Sequence, residues 1–464
     1  MRSAAAAIAL VALLAALLAA LGCARAPFGP YHGPYPAPGA ITAFDTVGWI
    51  GHDESQAGAP RFIRPGSISP GLHRVGTLEL PTNPDSVVIL LYGDNRPGFR
   101  MMTTAWGVPA VLEGFSSPEF SQFLWGVVNI PVALVQFFVP RLDGFRDIAS
   151  GTWTHIYTGG GEARILKAVE RELPAHFVVQ TGDVVENGRR GVQWERFVKS
   201  HESIRTKVPY LAAPGNHERI WDATGRANWD AVMGRPAEPE RYWFAVDLPE
   251  SIARFVFLDS NVLADPTDRY PDSLESALST EQLAWADSAL AVPARYRFVV
   301  LHHPLVTSGH YLSDWRSDDS KDVQLRRRGR LLEMCRRRGV TAVLAGHEHL
   351  YQRTYVRGRD GRGFWHVTTG GGGSPLYRLS ETERRGALAV TLPDSSVVMW
   401  NRARSMYHYS RLTILRRQPD GKDHIVLTVH RVRKNGQLVL IDQVDLTETP
   451  SEEQREHLQT RPGR

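Results

Sequence analysis

The stretch Thr341-Ala342-Val343-Leu344-Ala345-Gly346-His347-Glu348-His349 begins with a short apolar run and turns polar directly after a glycine. An uninterrupted apolar run of this length is typical of a strand that is buried on both faces of a sheet. The same pattern occurs at five other places in the chain. There the apolar runs end directly before, or one glycine before, Asp94, Asp183, Asn216, Asp259 and His302.

Helical patterns alternate with these strands. The segments predicted to be helical include 163–173, 279–290 and 325–338. Alternation of strands and helices predicts an α/β domain. Ligand sites of open α/β sheets collect at the carboxyl ends of the strands, so the polar residues that end these six strands are expected to form one site.

The chain has 464 residues, of which 42% are hydrophobic and 22% are charged, a composition typical of a globular protein. Its net charge of +5 is too small to indicate a particular partner. The two triple-arginine runs, 326–328 and 336–338, are interpreted as solvated helix faces, and no binding of a nucleic-acid polymer is expected. Cys335 lies in a helical pattern and is expected to be a core residue.

The first 23 residues have the pattern of an export signal. Arg2 precedes an Ala/Leu/Val-rich run over 4–21, and Gly22-Cys23 follows it. This resembles a bacterial lipoprotein signal, in which Cys23 would carry the lipid. A simple cleaved signal and an uncleaved anchor remain as alternatives. The expected location is therefore the bacterial periplasm or its membrane.

The remaining chain is divided as follows. A Pro/Gly-rich tether and β lead-in over 24–85 precedes a main domain over 86–448, and a disordered tail is expected over 449–464. Within the main domain, residues 99–150 form an apolar insertion, and strands over 376–448 complete the fold. The uncharged segment 123–140 is interpreted as a buried hairpin or lid, and the alternative is a loop that dips into lipid.

The polar residues at the strand ends include the ligand types that a two-metal hydrolase needs. Such a site combines a bridging carboxylate with imidazoles and oxygen ligands, and it leaves coordination positions open for water and phosphate. Residues of these types are Asp183, Asn216, His302, His347 and His349.

In their order along the chain, these motifs resemble the calcineurin-like metallophosphoesterase family. The motifs are Gly93-Asp94, Gly182-Asp183, Gly215-Asn216-His217-Glu218, His302-His303-Pro304 and Gly346-His347-Glu348-His349. The stretch from Gly346 to Arg353, with the later run Thr368-Thr369-Gly370-Gly371-Gly372-Gly373, is most similar to the purple acid phosphatase branch. The resemblance covers about residues 86–375 and implies a four-layer α/β/β/α sandwich with two mixed sheets.

The resemblance also implies a role for each matching residue. Asp183 would bridge two metal ions, and Asn216, His302 and His347 would be the other ligands of the second ion. Asp94 and His349 would hold the first ion. His217 would contact a substrate oxygen or help the leaving group depart. His302 is preferred over His303 because the family ligand stands two residues before the proline.

The sequence departs from the family at the first metal. Many members have Asp-x-His in the first motif, where this chain has Asp94-Asn95-Arg96, and the purple enzymes have a tyrosine where this chain has Glu186. The chain is therefore not expected to be purple. Glu186 is included as a candidate ligand of the first metal, but the favoured interpretation is a carboxylate that supports the ligands. Arg96 is expected either to clamp phosphate or to form a surface salt bridge. His310 is included as a substrate-side candidate.

The expected function is hydrolysis of phosphate esters by a hydroxide held between two metal ions, which could be Fe, Zn or Mn. An acid-phosphatase-like phosphomonoesterase is favoured. A phosphodiesterase that acts on a nucleotide or lipid-linked substrate is one alternative. A non-catalytic binding module of the same fold, with an impaired first metal site, is another.

Overall fold

The computed structural model describes residues 61–63, 75–79, 85–96, 161–186, 188, 191–219, 223–233, 241–264, 274–309, 321–374, 376–377, 379, 392 and 394–450. The export signal, the apolar segment 123–140, His310 and the tail 451–464 lie outside these residues, so the predictions made for them are not tested here. Within the described part of the chain, no helix combines the length and apolar character needed to cross a membrane.

The described strands form two mixed sheets. The strands are β1 Arg61–Ile63, β2 Val75–Glu79, β3 Ser86–Tyr92, β4 Phe177–Gln180, β5 Tyr210–Ala212, β6 Phe244–Asp247, β7 Ala253–Phe257, β8 Tyr296–Val300, β9 Ala342–Ala345, β10 Tyr351–Arg357, β11 Gly363–Thr369, β12 Val397–Arg404, β13 His408–Leu415, β14 His424–Val432 and β15 Leu438–Asp445. The nine-stranded sheet has the order β1-β2-β6-β7-β8-β9-β11-β10-β12, and the six-stranded sheet has the order β15-β14-β13-β3-β4-β5. Both contain parallel and antiparallel pairs, such as β7–β8 and β6–β7 in the larger sheet and β3–β4 and β3–β13 in the smaller one.

The helices are α1 Gly161–Arg171, α2 Gly191–Arg205, α3 Asn216–Arg219, α4 Ala223–Met233, α5 Asn261–Ala264, α6 Leu274–Ala291 and α7 Lys321–Arg337. A 3₁₀ turn covers Pro249–Ser251. The helices predicted over 163–173, 279–290 and 325–338 correspond to α1, α6 and α7, with ends that differ by one to five residues.

Alternation of side chains along the central strands produces three hydrophobic cores. Val87, Ile89 and Leu91 of β3 face the other sheet, while Val88 and Leu90 pack against α1. A strand with apolar residues on both faces can be covered on both sides, which explains the uninterrupted apolar runs in the sequence. Strand β7 repeats the arrangement with Phe255 towards the other sheet.

Aromatic rings connect the two sheets directly. The ring of Phe177 in β4 lies edge-on to Phe255 in β7, with 5.3 Å between centroids, and Phe255 stacks on Phe298 in β8 at 4.6 Å. On the outer side of the larger sheet, Val256 belongs to a core that also contains Leu331 and Cys335 of α7. One core between the sheets and one outside each sheet make four α/β/β/α layers, so the predicted fold is confirmed.

Two residues of the first triple-arginine run, 326–328, were wrongly predicted to lie on a solvated face of α7. Arg327 and Arg328 are buried, and Arg328 donates from Nε to the carbonyl oxygen of Leu305 at 2.6 Å. A buried guanidinium is tolerated when its N–H groups find acceptors, and this partner is remote in sequence. Arg337, in the second run, is exposed as predicted.

Candidate metal centre

The carboxyl ends of four strands from both sheets meet at one edge of the sandwich. Backbone hydrogen bonds join the loops that follow them: Asp94 N donates to Gly182 O at 2.9 Å, and Gly346 N donates to His302 O at 3.0 Å. The larger and smaller sheets are connected in the same way, since Gly93 N donates to Thr369 O at 3.0 Å. The ends of these four strands, of the six that the sequence predicted to converge, therefore do converge.

Three of the predicted ligands have left-handed backbone conformations. The φ angles are 53° at Asp94, 59° at Asp183 and 68° at His347. Residues other than glycine rarely occupy this region, and such strain is common at functional sites. Each of the three follows the end of a strand by two or three residues, at the point where the chain leaves the sheet.

The glycine before Asp183 allows close packing of the site. Gly182 has a φ of 96°, and a Cβ atom there would lie 2.6 Å from His302 Nδ1 and 2.9 Å from the Cα atom of Gly215. A side chain would displace the imidazole or the neighbouring backbone. The Gly-Asp pattern in the sequence is therefore a steric requirement of this loop.

Four predicted ligand atoms surround one point. His302 Nε2 lies 2.8 Å from Asn216 Oδ1, 3.1 Å from His347 Nδ1 and 3.4 Å from Asp183 Oδ1. His347 Nδ1 lies 3.1 Å from Asn216 Oδ1. Ligands at about 2.0–2.1 Å from a tetrahedral zinc ion are separated by roughly 3.4 Å, so these spacings fit one ion.

A second hydrogen bond sets the tautomer of His302. Its Nδ1 lies 2.8 Å from the carbonyl oxygen of Thr181, which can only accept, so Nδ1 carries the proton. The lone pair of the neutral ring is then on Nε2, the atom that faces Asn216 and His347. Metal-binding histidines are commonly oriented by such a hydrogen bond. The spacing of the four ligand atoms and the tautomer of His302 therefore both fit a bound metal ion.

The predicted ligands of the first metal are also close together. One ligand atom from each of Asp94, Asp183 and His349 lies within 4.8 Å of the others. Asp94 Oδ1 is 3.5 Å from His349 Nε2, and Asp94 Oδ2 accepts a hydrogen bond from His347 N at 2.8 Å. Among the residues that the structure describes, none donates a hydrogen bond to Asp94 Oδ1 or Asp183 Oδ2, although both atoms are buried.

Arg96 lies among the predicted ligands of the first metal. Its side chain is buried, so the surface salt bridge considered from the sequence is wrong. The guanidinium forms an ion pair with Glu186 through Nη1. Its Nε lies 3.3 Å from Asp183 Oδ2, and its Nη2 lies 3.3 Å from His349 Nε2. Glu186 contacts Arg96 directly, which agrees with its interpretation as a supporting carboxylate.

His217 stands beside both groups and is partly accessible, with 18% of its side chain exposed. Its Nδ1 donates to the carbonyl oxygen of Glu186 at 2.7 Å, and its Nε2 is 3.8 Å from Asp183 Oδ2. Burial, helped by the charge of Arg96, lowers the pKa of His217 to about 3. The ring is therefore neutral at physiological pH, with its Nε2 lone pair available to a ligand.

The surroundings shift the pKa values of Asp183 and Asp94 in opposite directions. Burial opposes ionisation of Asp183, but His302, His217 and Arg96 outweigh it, so its pKa is lowered. Burial raises the pKa of Asp94 to about 8, against the lowering effect of His302. Of the two, Asp183 is the carboxylate that is ionised at neutral pH and can attract a cation.

Two supporting groups were not predicted from the sequence. Glu218, quoted there only as part of a motif, accepts hydrogen bonds from the backbone N–H groups of Asp183, Val184, Val185 and Gly215 at 2.6–3.1 Å. Tyr377 stacks on the ring of His349 with 4.3 Å between centroids. The Gly-Asn-His-Glu motif could have indicated Glu218, but no sequence signal indicates Tyr377.

Comparison with known proteins identifies relatives over this region. The family model of calcineurin-like phosphoesterases matches residues 154–351. Probable inactive purple acid phosphatase 24 of Arabidopsis thaliana is 27% identical over 234 residues, which are 44% of this chain and 35% of that protein. A nucleotide pyrophosphatase/phosphodiesterase of Hordeum vulgare is 25% identical over 273 residues, or 52% of this chain and 67% of that protein.

Acid phosphatase type 7 of Homo sapiens is 26% identical over 180 residues, which are 37% of this chain and 37% of that protein. The chain thus spans little more than a third of the length of the Arabidopsis and human relatives.

Proposed function

Because residues 154–351 are a calcineurin-like phosphoesterase domain, we propose that this chain is a metal-dependent hydrolase of phosphate esters that prefers monoesters. The observation that supports this most directly is the convergence of Asp183, Asn216, His302 and His347 on one point. A nitrogen- and oxygen-rich group of this kind accepts Fe, Zn or Mn.

These four residues would hold a metal ion that, when bound, acts as a Lewis acid towards the phosphoryl oxygen and lowers the pKa of water. The chain itself orients and supports the reacting groups. Thr181 keeps the lone pair of His302 directed at the site, and Glu218 holds the loop of Asp183. His217 Nε2 is proposed to accept a hydrogen bond from a protonated phosphoryl oxygen of the substrate, since its Nδ1 carries the proton that Glu186 O accepts.

A phosphodiesterase is the second candidate. The Hordeum vulgare relative is named a nucleotide pyrophosphatase/phosphodiesterase, whereas the human relative is named an acid phosphatase. The name of the Arabidopsis relative, a probable inactive purple acid phosphatase, supports the non-catalytic alternative. The four ligand atoms that surround one point support the catalytic candidate, because a hydrolase of this kind requires a bound metal ion.

The experiment compares hydrolysis of 4-nitrophenyl phosphate and bis(4-nitrophenyl) phosphate by the full chain in detergent, reconstituted with manganese, zinc or iron. Faster turnover of the monoester, lost in His302→Ala, is the expected result. Faster turnover of the diester would replace the first candidate with the second. Equal, negligible turnover by both proteins would contradict the enzymatic function and favour the binding module.

We also propose that the chain is exported and anchored through a lipid on Cys23, on the strength of the apolar run that precedes this residue. Labelling of bacteria with a clickable fatty acid tests the proposal. The label should appear on the wild-type chain and be absent from Cys23→Ser. An unlabelled wild-type chain would contradict lipidation.

A further inference from the structure

We propose that the Arg96 guanidinium takes the place of the first metal ion, so that the chain binds a single metal ion, at Asp183, Asn216, His302 and His347. The inference rests on the metal dependence proposed above, but it concerns how many ions are bound and not whether an ester is cleaved. It starts from the position of one buried cationic side chain.

The guanidinium of Arg96 faces three different groups through its three nitrogens. Nη1 pairs with Glu186, Nε lies 3.3 Å from Asp183 Oδ2, and Nη2 lies 3.3 Å from His349 Nε2. Asp183 and His349 are two of the three residues that could hold an ion in this group. The cation therefore lies among the atoms that would otherwise be ligands.

An ion cannot use these atoms while Arg96 occupies this position. A metal binds imidazole nitrogen and carboxylate oxygen at about 2.0–2.2 Å through their lone pairs. The lone pair of His349 Nε2 faces an N–H group of Arg96, because guanidinium nitrogens only donate. The ion and the guanidinium would also repel each other at this short distance.

Arg96 is also held in place. Its backbone N–H donates to Asp183 O at 3.2 Å, and its carbonyl oxygen accepts from Ser374 Oγ at 3.4 Å. The side chain is buried, and Tyr377 stacks on the ring of His349, which Arg96 Nη2 faces. Withdrawal of the guanidinium would break its buried ion pair with Glu186, which opposes movement of Arg96 out of the site.

The two ligand groups differ in whether a cationic side chain already lies among their atoms. In the first group, the guanidinium of Arg96 lies beside the buried carboxylates of Asp183 and Glu186. In the other group, His302 Nε2 lies 2.8–3.4 Å from Asn216 Oδ1, His347 Nδ1 and Asp183 Oδ1, which are themselves ligand atoms.

The test counts bound metal. The full chain in detergent is saturated with manganese or zinc, freed of excess metal by desalting, and analysed by inductively coupled plasma mass spectrometry. The variants are Arg96→His, which removes the guanidinium and supplies an imidazole, and Arg254→His as the matched control. Arg254 is also buried and paired with a carboxylate, Asp247, but it lies in β7 away from the site.

The expected count is one ion per chain for the wild type and for Arg254→His, and two for Arg96→His. The manganese form of the wild type should give the six-line spectrum of an isolated ion in electron paramagnetic resonance, and Arg96→His should give the signal of a coupled pair. If Arg96→His does not fold, the number of metal ions bound by the wild type and its manganese spectrum test the inference on their own.

Two ions in the wild type would overturn the inference and leave the proposed function intact. A single ion in both the wild type and folded Arg96→His would also overturn it, because Arg96 would not be what excludes the second ion. One ion without turnover would support the inference while contradicting the hydrolase. No bound ion would contradict both.

Discussion

The Glu218 carboxylate accepts a hydrogen bond from the backbone N–H of Asp183, with 2.9 Å between Oε2 and the nitrogen. The same carboxylate accepts from three other backbone N–H groups of the two loops that carry Asp183 and Asn216. Asp183 has a left-handed backbone conformation, which its surroundings must maintain. Glu218 therefore determines where two of the four metal ligands stand.

We expect Glu218→Gln to weaken metal binding by about 10–100-fold, the range typical of lost support for metal ligands. The amide keeps the size of the side chain, but its NH₂ group cannot accept the hydrogen bonds made by one carboxylate oxygen. Isothermal titration with manganese measures the change. Glu281→Gln is the control, since Glu281 pairs with Arg241 away from the site. Unchanged affinity in Glu218→Gln would show that the two loops keep their conformation without the Glu218 carboxylate.

Replacement of the adjacent histidines His302 and His303 should have very different effects on metal binding. His302 Nε2 faces Asn216 and His347, whereas His303 Nδ1 bonds to Ser260 Oγ at 2.8 Å. His302→Ala is expected to lose the bound ion and at least about 10²-fold in kcat, because the ion supplies several kcal/mol of stabilisation. His303→Ala should retain the ion. Metal content and turnover of both variants check this, and loss of the ion only in His303→Ala would reverse the assignment.

His217→Ala is expected to retain the metal ion and to lose about 10²–10⁴-fold in kcat/KM, the range for a positioned side chain that handles a proton. Its Nδ1 is engaged with Glu186 O, so the contribution comes from Nε2. Steady-state kinetics with metal analysis separate the two effects. A variant that turns over normally would remove His217 from the reaction, and one that loses the ion would make it a ligand.

Stability at acid pH should depend on His366. This side chain is fully buried, and its Nε2 accepts a hydrogen bond from Leu305 N at 3.0 Å. Burial, together with the charge of Arg328, lowers its pKa to about 3. Between about pH 6.5 and pH 3 the unfolded chain binds a proton that the folded chain does not, so the free energy of unfolding falls as pH decreases.

The expected loss from His366 between pH 8 and pH 5 is about 2 kcal/mol, and His366→Gln should not show it. Urea unfolding at the two pH values measures the difference. His424 is a control of opposite sign, because its pKa is raised by Asp445 and Asp420 and its contribution is present at low pH and lost as pH rises. Equal pH dependence in the wild type and His366→Gln would contradict the assignment.

Much of the site could be predicted because its chemistry coincides with a strand pattern. An apolar strand, a glycine and a polar residue recur at Asp94, Asp183 and His347, and the loops that follow these strands are joined by hydrogen bonds in the structure. The same pattern indicates the α/β fold, since strands such as β3 and β7 must be covered on both faces.

Contacts between residues remote in sequence could not be predicted. The position of Arg96 depends on Glu186 and His349, which lie 90 and 253 residues away. The buried Arg328 donates a hydrogen bond to the carbonyl oxygen of Leu305, 23 residues away. A local sequence pattern predicts that an arginine is charged and exposed. An arginine becomes buried when the tertiary structure brings hydrogen-bond acceptors or carboxylates to it from elsewhere in the chain.

The most direct test of the central claim measures hydrolysis of 4-nitrophenyl phosphate after metal removal, as manganese or zinc is added back to the wild type and to Asp183→Asn. The wild type should be inactive after chelation and regain turnover with added metal, while Asp183→Asn stays at least about 10³-fold slower at every concentration, since it loses the carboxylate that attracts the ion. Wild-type turnover by Asp183→Asn, or turnover by the wild type that is unchanged after complete metal removal, would contradict the account.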